Sequence, residues 1–160
     1  MEKVELPPGG AQTREGQARL KESGVVPIPR ADNLTKPYWD AALRCEITIQ
    51  RCSDCGRFRH PPSQTCERCG SSAYVWTPMT GKGTIYSFVI DYRNLIPSFD
   101  EPYVVALISP VEVDGDPVRI VANVLGCDVG RVHIGMPVRV VFETAAPGVA
   151  LPQFVPDVEE

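Results

Sequence analysis

Histidine is scarce in this chain. His60 and His133 are the only two, and neither stands in a nucleophile motif. The cysteines therefore lack an evident general base, which a catalytic thiol ordinarily keeps within reach. Long apolar runs are missing too: no stretch approaches the roughly 20 apolar residues that a membrane helix requires. The opening residues, Met1 to Gly10, hold no apolar core run. That reads against a secretory signal and for a cytoplasmic protein. Positive charge is not in excess either. Sixteen Lys and Arg face 20 Asp and Glu, for a net charge of −4. With no Lys/Arg cluster, this balance argues against a nucleic-acid partner.

Cysteine and proline are plentiful. Nine of the 16 prolines gather at Pro7-Pro8, Pro27/Pro29, Pro61-Pro62 and Pro147/Pro152/Pro156. Proline fixes φ and lacks an N–H, so these clusters read as arms, turns and tails. Four of the six cysteines form two C-x-x-C knuckles, Cys52-Ser53-Asp54-Cys55 and Cys66-Glu67-Arg68-Cys69. A two-residue gap lets both thiolates of a knuckle turn toward one point. Two knuckles supply the four sulfurs of a closed tetrahedral zinc site, which leaves no position for water or substrate. Gly56 and Gly70 follow the knuckles where the chain must fold tightly. The site is expected to hold one structural zinc. Tetrathiolate iron also suits such ligands, and paired disulfides use the same residues in oxidising compartments. Cys45 and Cys127, outside the quartet, read as small buried apolar residues.

The chain divides into segments. Residues 1–34 read as an N-terminal arm, with a short helix over 14–23. A helix is expected over 35–45, with Thr35 as cap, Pro37 in the first turn and an apolar face of Tyr38, Trp39, Ala42 and Leu43. Residues 35–78 join that helix to strand, knuckle, turn, knuckle and strand, the layout of a zinc ribbon. Residues 79–143 read as a small β domain. Its strands are expected at 84–92, 103–111, 118–125 and 138–142, with a hairpin turn at Asp114-Gly115. Ala73 to Met79, or the segment near 129–134, is expected to complete a five-stranded barrel. Gly81-x-Gly83 precedes no helix pattern, so it reads as a bend in a barrel strand rather than a phosphate loop. Residues 144–160 read as a proline-stiffened tail whose Leu151 and Phe154 either fold back on the barrel or anchor a partner. The fold class is mainly β: an N-terminal helix and rubredoxin-like zinc ribbon followed by a small OB-fold barrel.

The ordered motifs resemble one family. They run Gln50-Arg51-Cys52-x-x-Cys55-Gly56, Pro61-Pro62, Cys66-x-x-Cys69, Trp76, Gly81-x-Gly83-x-Ile85-x-Ser87-Phe88, Pro102-Tyr103, Gly135-Met136-Pro137-Val138 and Leu151-Pro152-x-Phe154-x-Pro156. From about Tyr38 to Pro156 the chain resembles the rubredoxin-like zinc-ribbon plus OB-fold proteins associated with thiolases and acyl-CoA metabolism. The resemblance implies metal ligands at Cys52, Cys55, Cys66 and Cys69 and no catalytic residue. It also implies a non-catalytic accessory subunit in a hetero-oligomer with a thiolase-like catalytic subunit. The complex would be an acyltransferase or related lyase, with acyl-CoA at the subunit interface.

Three other readings stand beside it. Arg57, Arg59, His60 and Lys82 are candidates to meet a CoA phosphate, since basic side chains suit phosphate. A nucleic-acid-binding ribbon/OB module would use Tyr86, Phe88 and Tyr92 as stacking platforms. The strand parity of these aromatics serves a core face equally well. A rubredoxin-type electron carrier would put iron in the quartet.

Overall fold

A computed structural model describes residues 28–93, 102–113, 115 and 118–157. The expected helix over 14–23, and Asp114 of the hairpin turn, lie outside the described residues.

The first element is helix α1, Lys36–Leu43. Pro37 sits in its first turn, where a missing N–H costs nothing. Thr35 stands at the N-cap but makes no side-chain cap bond. Its hydroxyl instead donates to Asp32 Oδ1, which also accepts the Leu34 and Thr35 amides. The helix thus starts from an Asp32 turn rather than from the expected threonine cap. It buries Tyr38, Ala41 and Ala42.

Strands β1 (Ile47–Cys52), β2 (Phe58–Arg59) and β3 (Tyr74–Met79) form an antiparallel sheet in the order β2-β1-β3. The six-residue register from Ile47 opposite Met79 to Cys52 opposite Tyr74 makes β1 and β3 the ribbon's arms. Residues alternate across a strand, so Ile47 and Ile49 leave the ribbon on one face. There they join the core of the next unit, beside Ile85, Val104, Ile108, Ile120 and Phe154. Ribbon and barrel therefore share one core.

The barrel strands are β4 (Lys82–Asp91), β5 (Tyr103–Pro110), β6 (Ile120–Val124), β7 (Pro137–Ala146) and β8 (Val149–Pro156). They close in the order β4-β5-β6-β8-β7. Residues 82–84 of β4 pair with 137–139 of β7 and complete the ring. Glycine is required at this closure. A Cβ on Gly83 would lie 2.7 Å from the Ser109 carbonyl oxygen, and one on Gly81, at φ +78°, would lie 2.3 Å from Val140 Cγ1. The Gly-x-Gly pair, read from sequence as a bend in a barrel strand, sits where the ring closes.

The fifth strand corrects the sequence expectation. Ala73 to Met79 belongs to the ribbon as β3, and Val129–Arg131 is a 3₁₀ turn. The missing strand is β8, within the segment read as a tail. Its prolines are compatible because β8 meets β7 along its length but meets β6 only through Val124 opposite Phe154. Proline is tolerated where a strand is paired on one side. Two further bonds bridge the gap to β6: the Gln153 side-chain Oε1 accepts the Asn123 backbone amide at 2.9 Å, and the Leu125 backbone amide donates to the Phe154 carbonyl at 2.7 Å.

A bulge in β4 also changes the parity read from sequence. Ile85 faces Ile108, but Ser87, not Tyr86, faces Leu107. One extra residue per bulge turns the side chains after it to the opposite face. Tyr86, next to buried Ile85, is exposed, while Phe88, beyond the bulge, is turned to pack against the core.

Candidate metal centre

Each knuckle is a turn built by backbone hydrogen bonds. The Gly56 amide bonds the Cys52 carbonyl at 3.0 Å, and the Gly70 amide bonds the Cys66 carbonyl at 2.8 Å. Both glycines sit near φ +75°, in the left-handed region that side chains disfavour. The Cys52 amide then reaches the Arg57 carbonyl, and the Cys66 amide the Ser71 carbonyl. The two knuckles are thus near copies of one turn. Arg51 braces the first: its Nε donates to the Gly56 carbonyl at 3.1 Å, and its guanidinium lies 5.4 Å over the Phe58 ring.

The turns bring four sulfurs together. Cys52 and Cys69 Sγ are 3.6 Å apart, and Cys55 and Cys66 Sγ are 3.5 Å apart. All four lie within 4.8 Å of one another. A tetrahedron with Zn–S bonds of about 2.3 Å has edges of about 3.8 Å, so the set is already at zinc spacing. All four thiols are free, and a disulfide would need sulfurs about 2.05 Å apart. Cys52 and Cys66 are buried, Cys55 is half-buried and Cys69 is exposed.

The site's electrostatics favour a cation. Backbone amides of Cys55 and Asp54 hold the Cys52 thiol below its ordinary value. Those of Cys69 and Arg68 pull Cys66 down to about 6. The Ser71 amide lowers Cys69 too, but the Cys55 sulfur, burial and the sulfurs of Cys52 and Cys66 outweigh it and raise that thiol to about 12. Four like charges this close cannot coexist without a metal to neutralise them. The donor set, its spacing and its charge all fit one structural zinc.

The remaining sequence candidates do not converge. Arg59 is 6% exposed, with Nη1 donating to Ser63 Oγ and its guanidinium over the Tyr74 ring at 5.5 Å. His60 packs against the Tyr38 ring at 5.2 Å. Lys82 pairs with Asp157 at 3.1 Å, at the barrel closure. Arg57 stays half-exposed beside the first knuckle. No shared anion pocket forms among them in the described residues. The three aromatics proposed as stacking platforms are also separated: Tyr86 lies under the Arg119 guanidinium at 4.1 Å, Phe88 is turned inward, and Tyr92 is exposed. Cys45, expected to be buried, is exposed at φ +59° just after α1, and Cys127 is half-buried.

His60 carries a pH prediction. Burial pushes its imidazole from 6.5 down to about 4. Between those values the unfolded chain binds a proton that the folded chain refuses, so stability falls as pH drops through that window. The full span amounts to about 3 kcal/mol. Urea unfolding at pH 7.0 and 4.5 should show wild type losing about that much more than His60→Gln. Equal losses in the two proteins would count against a buried neutral histidine.

Comparison with known proteins agrees with this architecture. Residues 39–75 match the rubredoxin-like zinc ribbon domain of ChsH2, and residues 76–143 match the ChsH2 C-terminal OB-fold domain. A solved chain of the Ltp2-ChsH2(DUF35) aldolase is similar at 35% identity and a TM-score of 0.74. The match covers 81% of this chain and 99% of that one. A DUF35-family protein of unknown function from Sulfolobus solfataricus shares the fold, at 19% identity and a TM-score of 0.55 over 79% of this chain and 87% of its own. A probable enoyl-CoA hydratase alpha subunit of Thermomonospora curvata is 35% identical over 145 residues, 90% of this chain and 44% of its own. The 3-oxo-4,17-pregnadiene-20-carboxyl-CoA hydratase alpha subunit of Mycobacterium tuberculosis is 35% identical over 114 residues, 71% of this chain and 35% of its own. The chain thus spans less than half the length of these curated relatives. Zinc ribbon, OB fold and their order along the sequence show that this chain belongs to the ChsH2 family.

Proposed function

We propose that this chain is a non-catalytic, zinc-binding accessory subunit of a thiolase-type acyl-CoA complex. Cys52, Cys55, Cys66 and Cys69 are its zinc ligands, and the metal supplies folding rather than chemistry. A closed tetrathiolate set has no coordination position for substrate. The partner carries the catalytic residues, and the ribbon and barrel support its assembly and shape acyl-CoA access.

The observation that carries this reading is the 35% identity to a ChsH2 chain found in an aldolase with Ltp2, a chain that this one spans almost completely. The relatives named as hydratase subunits add the CoA thioester. Their chemistry is connected: hydration of an enoyl-CoA gives a β-hydroxyacyl-CoA, and a β-hydroxy carbonyl is what retro-aldol cleavage requires. The partner's substrate is accordingly a β-hydroxyacyl-CoA or a close relative of one.

Co-expression with an Ltp2-type, thiolase-like protein tests the proposal. The two should co-purify, and the partner alone should fail to assemble or turn over. A partner that is fully assembled and active without this chain would refute it.

A further inference from the structure

The two knuckles are near copies in backbone but differ in cover. Cys52 ends β1, paired opposite Tyr74, and Arg51 folds over Gly56, where a Cβ would lie 3.4 Å from Arg51 Nη2. The second knuckle has no such brace among the described residues: a Cβ on Gly70 would meet nothing within 4 Å. Residues 67–70 are all exposed, Cys69 among them, whereas the other three cysteines of the quartet are buried or half-buried. The sulfur contacts cross between the knuckles. Cys69 meets Cys52 at 3.6 Å, and Cys55 meets Cys66 at 3.5 Å. Each pair joins a buried sulfur to a more accessible one.

We propose that Cys69 and Cys52 form a peroxide-sensitive switch on metal retention, an inference that rests on the quartet being the zinc site. Oxidant-sensing cysteines are accessible thiolates placed next to a resolving cysteine. Ligation to a metal keeps Cys69 a thiolate, its exposure admits the oxidant, and Cys52 is the resolving partner. The Cys69 thiolate attacks one oxygen of hydrogen peroxide; the O–O bond breaks, the sulfur becomes a sulfenic acid and hydroxide leaves. The Cys52 thiolate then attacks that sulfur, which forms the Cys52–Cys69 disulfide and expels a second hydroxide. Together the two sulfurs lose two electrons, and the peroxide takes them up. The pair must close from 3.6 Å to about 2.05 Å, and the unbraced knuckle is the one with room to move. Cys55 and Cys66 remain, too few for a four-coordinate structural site. Oxidation thereby releases zinc and unties β1, with Ile47 and Ile49, from the barrel core.

The test treats the zinc-loaded full chain with hydrogen peroxide. A chromogenic chelator follows zinc release, and peptide mass mapping without reductant identifies the pairing. About one zinc should leave for every two thiols lost, with a Cys52–Cys69 cross-link, and a thiol reductant plus zinc should restore the metal. Cys45 is exposed but outside the quartet, so Cys45→Ser should release zinc at the wild-type rate. Substituting a ligand would remove the metal outright, so dimedone added with the peroxide takes that place. It should label Cys69 ahead of Cys52, Cys55 and Cys66 and block the cross-link. Zinc retained while Cys45 is oxidised would overturn the switch. So would a Cys66–Cys69 disulfide within the second knuckle, or an over-oxidised Cys69 with no cross-link. A chain that holds no zinc when purified under reductant would defeat the zinc-site reading, and the switch with it.

Discussion

Replacing Cys66 with serine is expected to unfold the ribbon and destabilise the barrel with it. Structural zinc contributes on the order of 10 kcal/mol in zinc-finger peptides, comparable to the whole stability of a domain, about 5–15 kcal/mol. The ribbon has few other resources. Its sheet includes a two-residue strand, and its buried isoleucines, Ile47 and Ile49, point into the barrel rather than into a core of its own. Losing the metal therefore removes two core side chains from the barrel, each worth about 1.5–3 kcal/mol of burial. The variant should purify without zinc, exchange amide hydrogen rapidly through 47–79, and show a lowered melting temperature for the barrel strands. Cys45→Ser, at an exposed position outside the quartet, should stay within about 0.5 kcal/mol of wild type. A barrel that melts normally in Cys66→Ser would mean that the two units do not share a core.

Phe154→Ala should cost about 3–5 kcal/mol. Phe154 is 1% exposed and is the largest fully buried side chain in the described residues. It packs with Ile47, Ile85 and Ile108, and its backbone joins β8 to β6. The side chain thus fills the core while its main chain closes the ring, and truncation leaves a cavity where three elements meet. Chemical denaturation with matched slopes would give the difference. A loss below about 1 kcal/mol would return residues 149–156 to the role of a loosely attached tail.

The legible parts of this protein are those fixed by neighbours in sequence. The zinc quartet was visible because a knuckle is a local turn: two cysteines, a two-residue gap and a following glycine define it. Strands β4, β5, β6 and β7 announced themselves through β-branched and aromatic runs. What stayed hidden depends on distant parts of the chain. Three prolines at 147, 152 and 156 disguised β8, and only its lightly paired second edge explains why they fit. The bulge after Ile85 reversed the expected facing of Tyr86 relative to Phe88. Arg59 and His60 looked like exposed basic residues, yet their rings and guanidinium pack inside the ribbon and against α1. The shared core was also illegible, because alternation in β1 marks two faces without saying which element covers each.

A structural metal in the quartet gives the fold its logic. Zinc orders β1, and β1 lends Ile47 and Ile49 to the barrel. In the proposed function, chemistry belongs to a partner chain. Zinc K-edge X-ray absorption on the purified protein tests the starting point most directly. The account predicts one zinc per chain with four sulfurs at about 2.3 Å and no lighter ligand. A shell with an oxygen or nitrogen in place of one sulfur would open the site to water and contradict a purely structural metal.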